Sequence, residues 1–556
     1  MPRFYVKRVL EFEESNAERK SPTVSGRKCE YEVTKPGMIA AEPWNVVVLG
    51  KQLSSSPTTV WRERRAFAYY FERAAPLLGG ELDVDFWRVV VPQVCRSEPA
   101  VWDAINSISV LFESPGPGAD PQLLRDEQSG PLSQNHRDAL SWYSRSVSAV
   151  RQRIERGGVD LFVGLVSCVL FICVEALQGG LEEAIRLYSQ GVQLIVALRS
   201  QIASGDMLSA KSSLLEDTIV PIFVRMGALA LSISGVPVVA LLRDTEHAPA
   251  QEFVSLKAAR DAIAPLATEI QIFQGICEEH PFQSRVSGVL QQLMNQQGTL
   301  SARLGDWHTS FMSTMARLCT KGALSPQQIC VSARLLSYYE MLFVLLEVSI
   351  SPLQMITDKY FPNFQRIVEQ SRIALDIAES DGTQVPFTFE LSIGLPLWFT
   401  CLRCREPAIR RSALALLRRG PRVQGFYPMT PTLALCERII ALEETYGVPV
   451  NTGQEMMNFP SPDSLDATND FNISKSTASE MGFRAQTAAQ IPEEARCGPI
   501  VIIRSSGRIP LGMTESHFAL LNQGDKSFLQ FARNERDPTS GAWQRVYGYV
   551  PLDFDI

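Results

Sequence analysis

A chain of 556 residues, 45% hydrophobic and 20% charged, has enough apolar sequence for a large buried core and is too apolar to remain an unfolded polyelectrolyte. Its formal net charge of −7 argues against a surface coated for nucleic acid, so any DNA contact would need a local basic element. Eleven cysteines, an odd number without regular spacing, argue against a disulfide framework and fit a reducing compartment.

The opening "MPRFYVKRVLEFEESNAERK" has no apolar core and no small-residue cleavage site, which is unlike a secretory signal. Residues 1–36 mix eight basic with six acidic side chains and show no helical period, so a frayed, solvated segment is expected there. Residues 37–60 are rich in Pro, Gly and Ser and read as a linker.

From Trp61 the pattern becomes helical. In "WRERRAFAYYFERAAPLL", Trp61, Phe67, Tyr70, Phe71 and Ala74 recur at spacings of three and four, and Pro76 is expected to limit the helix. Phe86, Trp87, Val90, Val91 and Val94 carry the next stripe, which restarts after Pro99 with Val101, Ala104, Ile105 and Ile108. Leu140, Tyr143, Val147 and Val150 mark another amphipathic helix beyond a Gly/Pro/Asp loop. The uncharged run from Leu161 to Val174, closed by Asp160 and Glu175, is shorter than the ~20 residues that span a bilayer, and reads as a buried core helix. A glycine stop at Gly179 and Gly180 follows, then a stripe through Ala184, Tyr188, Gly191, Ile195 and Leu198.

The same texture continues to "TLALCERIIALEETYG", with almost no period-two alternation before residue 497. The expected fold class is therefore all-α, an array of packed amphipathic helices of superhelical or bundle-like form over 61–445, without a strict repeat. Residues 446–496 are polar and low in large aliphatics, and a disordered linker is expected. The tail 497–556 holds one β-branched run, Ile500 to Ile503, and then "SHFALLNQGDKSFLQFARN"; a small strand-and-helix unit fits, but nothing assigns it.

Little supports an enzyme. Five histidines (His136, His247, His280, His308, His517) show no metal-helix spacing, and no P-loop, dinucleotide fingerprint or nucleophile elbow is present. Cys401 and Cys404 form a C-x-x-C without the second pair that a tetrahedral zinc site needs. They and the Cys168/Cys173 pair read as small buried hydrophobes. No catalytic residue and no cofactor is expected.

Several stretches in order carry a resemblance: "ERRAFAYYFERAAPLLGGELDVDFW", "SEPAVWDAINSISVL", "VSCVLFICVEALQGGLEEAIRLYSQGVQLI" and "EFVSLKAARDAI". Trp307 with Phe311 follows, then "FELSIGLPLWFTCLRCREPAIRRSALALLRRGPRVQGF" and "ALCERIIALEE". Together they resemble the regulatory domain of fungal binuclear zinc cluster (Zn2Cys6) transcription factors. In that family a small module with six cysteines and two zinc ions precedes the domain and reads DNA. "GRKCEY" resembles the module's last line, so Cys29 is identified as a remnant of its final metal ligand; no cysteine precedes it. A single thiolate cannot hold zinc, and such modules do not fold without metal. The resemblance implies a nuclear transcriptional regulator of a metabolic or secondary-metabolite gene set. Zinc and DNA would be its partners only if the missing cysteines exist upstream. It also implies a homo- or heterodimer and a small-molecule effector, with no membrane partner. The alternative is a helical interaction protein without DNA binding that modulates other transcription factors by dimerisation.

Overall fold

The computed structural model describes residues 61–114, 133–156, 160–203, 209–230, 237–242, 252–279, 287–382, 385–452, 485, 487–498, 500–503 and 528–551. The expectations for 1–36 and 37–60, Cys29 included, lie outside the described residues.

The described chain is an all-α array. Helices α1 (Trp61–Tyr69), α2 (Ala75–Gly79), α3 (Val91–Cys95), α4 (Pro99–Glu113), α5 (Gln134–Glu155), α6 (Leu161–Gln178) and α7 (Leu181–Ala203) come first. Then follow α8 (Ser209–Leu214), α9 (Val220–Ala230), α10 (Leu256–Glu279), α11 (Ser287–Thr320), α12 (Pro326–Val348) and α13 (Phe361–Ser380). The last are α14 (Gly394–Arg403), α15 (Pro407–Arg419) and α16 (Met429–Thr452).

Pro76 does not end its helix, contrary to the sequence expectation. The helix passes through a π turn at Tyr70–Ala74 and continues as α2 to Gly79, and Gly80, at φ 48°, is where it stops. The same device recurs: π turns at Asp85–Val90 and Leu215–Ile219 stand just ahead of Pro92 and Pro221. In each case the residue before the proline reaches back five positions, Ala75 N–H to Tyr70, Val91 to Phe86, Val220 to Leu215. A proline lacks the N–H and crowds the carbonyl four back; a widened turn moves that carbonyl aside and lets the helix continue.

At the centre lies α6. Asp160 caps it by accepting from Phe162 N–H at 2.9 Å, and Gly179 at φ 81° ends it in the left-handed conformation. The helix is 18 residues long, longer than the apolar run that suggested it, so α6 and α12 both reach the length and apolarity of a membrane span. Their surroundings are protein: 78% of the α6 window and 67% of the α12 window are buried inside the array. Gly191 of α7 allows a close approach to α9, since a Cβ there would lie 2.3 Å from the Phe223 ring. Trp307 and Phe311 stack at 5.0 Å, and the Trp307 indole donates to Ala259 O at 2.8 Å, locking α11 to α10.

Glu175 is the anomaly in α6, a carboxylate on an otherwise apolar helix. Tyr143 donates to it at 2.7 Å, and burial pushes its carboxyl up to about 7 from an ordinary 4.5. The folded state thus holds a proton there that the unfolded chain has lost, so this group's contribution to stability falls as pH rises from about 4.5 to about 7. Glu175→Gln keeps an acceptor for Tyr143 and removes the charge. It is expected to gain about 1–3 kcal/mol at pH 8 and to match the parent near the unfolded value, as denaturant midpoints across that range would report.

Strands enter late and are few. Parallel β1 (Phe387–Thr388) and β2 (Val423–Gln424), with antiparallel β3 (Tyr427–Pro428), form a sheet of two-residue strands, too short to leave an alternation in the sequence. The Ile500–Ile503 run is β4, as its β-branched residues indicated, and it pairs antiparallel with β5 (Phe528–Arg536), which pairs with β6 (Trp543–Pro551). Phe528 to Asn534 is therefore strand, ordered by hairpin pairing with β6; residues 504–527 lie outside the described residues.

The linker expectation for 453–484 and 486 lies outside the described residues. At its two ends the 446–496 segment differs from the expectation: helix α16 runs on to Thr452, and residues 487–496 are packed, with Ile491, Ala495 and Arg496 buried. Their polar composition hides this because the polar groups are satisfied by the helical array. Glu493 accepts from Gln354 and Met355 N–H, both at 2.8 Å, capping the 3-10 turn Gln354–Tyr360. Arg496 grips Asp358 with two bonds of 2.7 Å.

Candidate ligand pocket beneath the C-terminal sheet

Where the C-terminal segment docks, it covers a cavity of about 240 Å³. Helix α10 supplies one wall through Gln271, Gln274, Gly275 and Glu278, which share a face at spacings of three and four. Across from them stand Met341 and Leu345 of α12 and Leu395, Trp398, Phe399 and Leu402 of α14. Ile439 of α16 contributes beside them, and Cys497, Gly498 and Ile500 close the cavity. The walls are therefore mostly aliphatic and aromatic with a polar stripe on one side, the usual make-up of a small-molecule site. Gly275 keeps its side of the wall open. A Cβ there meets nothing within 4 Å, so no steric conflict explains a glycine inside a helix.

A smaller chamber of about 30 Å³ adjoins the first and shares Gln274, Glu278, Leu345 and Arg403 with it. Arg403 lies at the boundary. Its guanidinium donates to Glu278 Oε1 at 3.2 Å and to the Gln354 side chain, while Gln274 donates to the same Glu278 oxygen at 2.8 Å. Arg545 of β6 reaches the chamber from the other side and donates to the Glu278 backbone carbonyl at 3.2 Å. Among the described residues, no carboxylate lies within ion-pair distance of Arg545. Burial pulls both guanidiniums below their ordinary basicity, against the raising effect of Glu278. On the α10 stripe, the Gln271 side-chain oxygen is buried and without a hydrogen-bond partner among the described residues.

The pocket's cover is fixed by a buried ionic knot. Glu443 of α16 is fully buried between Arg405 and Arg410, at 2.7 Å from each. The same carboxylate accepts from Cys497 N–H at 2.8 Å, and Arg405 donates to Cys497 O at 2.9 Å. The backbone of a pocket-lining residue is thus clamped on both its amide and its carbonyl. A second knot lies elsewhere in the array: Asp83 joins Arg225 of α9 and Arg260 of α10, with Asp261 and Glu390 beside them. It ties the segment after α2 to the segment after β1.

No family model, curated protein or solved structure matches the chain. The functional reading therefore rests on its own residues.

Among the described residues, the structure brings none of the histidines and cysteines weighed for chemistry to the pocket, and Cys29 lies outside the described residues. Cys401 and Cys404 are buried in and after α14, and Cys168 donates to Leu187 O at 3.0 Å within the core. His136 sits in the first turn of α5 against Ser133 at 2.7 Å, and His308 stacks on Tyr339 at 4.3 Å. His247, His280 and His517 lie outside the described residues. Among the described residues, no group of three His, Cys, Asp or Glu side chains is arranged to hold a metal ion. The pocket residues themselves had one legible signal, the polar face "QIFQGICE" with a mid-helix glycine, which reads equally well as a solvated helix side.

Proposed function

We propose that this chain is a transcriptional regulator of the fungal Zn2Cys6 family, acting in the nucleus on a metabolic or secondary-metabolite gene set. Residues 61–445 would be its regulatory domain, and the pocket beneath the C-terminal sheet its effector site. One observation carries the reading: the stretches that resemble the family, in the family's order, supply every charged group of the two buried ionic knots except Arg225. Asp83, Arg260, Glu390, Arg405, Arg410 and Glu443 all fall inside them. Buried charges joined across long sequence distances are costly to place, which suits them to specifying one arrangement of helices.

A second reading is favoured by Cys29, the sole cysteine before Cys95. With one thiolate, this chain would act through a dimer partner that reads DNA and would bind no stoichiometric zinc. Both readings expect nuclear accumulation and a several-fold reporter change when residues 1–556 are tethered to an unrelated DNA-binding module in a fungal host. No change in the reporter together with cytoplasmic retention would overturn both. Mapping the 5′ end of the transcript separates them: a message with further in-frame cysteines ahead of Cys29 supports a regulator that reads DNA itself, and a message without them supports action through a partner.

A further inference from the structure

The two chambers differ in character in a way that specifies a ligand. The larger is walled by Leu345, Leu395, Trp398, Phe399 and Leu402, and its volume of about 240 Å³ is set among apolar groups. At the ~0.74 packing density of protein interiors it accommodates a body on the order of ten non-hydrogen atoms. The smaller, at about 30 Å³, has room for little more than a water or a carboxylate, and two guanidiniums face it. Arg403 and Arg545 together have one carboxylate between them, Glu278. The neighbouring knot does not relieve this excess, because Arg405 and Arg410 likewise share a single carboxylate, Glu443.

We propose that the pocket binds a small monocarboxylic acid with a flat or branched apolar body, its carboxylate received between Arg403 and Arg545 and its body lodged against Trp398 and Phe399. Two guanidiniums lining a chamber of carboxylate size, with only Glu278 as an ion-pair partner within reach, are the groups best suited to receive a carboxylate. A cation meets the two arginines unfavourably, and a neutral body fills the large chamber while leaving Arg545 without a carboxylate partner among the described residues. Because Arg545 belongs to β6 and Arg403 to α14, the acid would also bridge the C-terminal sheet to the helical array. The assignment deepens the regulatory reading, resting on it only for the view that the ligand is an effector.

The test is titration calorimetry and thermal denaturation of the full 556-residue chain with three probes of one shape: 3-phenylpropanoate, its methyl ester and 3-phenylpropylamine. The acid is expected to raise Tm and to bind at least about ten-fold more tightly than the ester, ~1.4 kcal/mol, with the amine weaker still. Arg545→Gln, on a partly exposed strand residue, is expected to remove that preference for the acid while the ester still binds and raises the variant's own Tm. Trp398→Ala is expected to weaken acid and ester alike. The proposal is overturned if the ester binds as well as the acid, if the acid fails to bind up to its solubility limit, or if Arg545→Gln leaves the preference intact. Binding is read on purified protein, so its failure is distinguishable from failure of the tethered reporter.

Discussion

Glu443→Ala is expected to lower the stability of the folded chain by about 3–5 kcal/mol, the range for removing one partner of a buried ion pair. The side chain is fully buried, and so is that of Arg405; Arg410 is 2% exposed. Deleting the carboxylate leaves two guanidiniums in the core with no counter-charge, and Arg410 keeps only its bond to Cys401 O at 2.7 Å. Cys497 N–H loses its acceptor at the same time, so the loss extends to the C-terminal segment over the pocket. Urea denaturation measures the first effect, and earlier proteolytic release of the C-terminal segment measures the second. Although burial opposes ionisation of Glu443, Arg405 and Arg410 hold its carboxyl below the usual range. A depressed carboxylate contributes above its unfolded value and loses that contribution as pH falls, so the gap between parent and variant narrows in acid. Glu443→Gln, which keeps an acceptor, should lose less. Equal urea midpoints for parent and Glu443→Ala would show that the knot does not stabilise the fold, and equal rates of proteolytic release that it does not hold the C-terminal segment.

Asp83→Ala is expected to cost about 3 kcal/mol, the lower end of the same range, for a reason peculiar to its knot. Asp83 accepts from Arg260 at 2.9 Å and from Arg225, which is fully buried. Its removal leaves Arg225 with Asp261 at 3.4 Å and Glu390 at 3.5 Å. Three carboxylates share two guanidiniums in the parent. The arginines hold the Asp83 carboxyl far below the usual range against its burial, while burial and the charge of Asp83 push the Glu390 carboxyl up. Without Asp83 the remaining carboxylates match the arginines, Glu390 ionises more readily, and part of the loss is recovered. The pH dependence carries the signature. Raised Glu390 makes the parent less stable as pH climbs from about 4.5 toward neutrality, and Asp83→Ala flattens that slope. A slope unchanged by the substitution would mean that Glu390 does not take its proton from this arrangement.

The sequence by itself determined the class of fold and the position of most helices. Amphipathic spacing marks α1, α4, α5 and α7, Gly179 marks the end of α6, and the β-branched run marks β4. These are local properties, set by which side chains share a face within a few residues. It misplaced the effect of Pro76 because the widened turn that accommodates the proline and lets the helix continue leaves no mark in the apolar spacing. The ordered 487–496 segment was hidden for a related reason. Glu493 and Arg496 look solvated in sequence, and only the distant Gln354, Met355 and Asp358 make them buried partners.

The candidate site was decided by tertiary structure almost entirely. Gln274 and Glu278 on α10, Arg403 on α14 and Arg545 on β6 are separated by more than a hundred residues at each step, and nothing local distinguishes them from surface polar groups. A charge becomes a recognition group when the fold removes its water and limits its partners. That happens only when remote segments are brought together, so periodicity in the chain carries no trace of it.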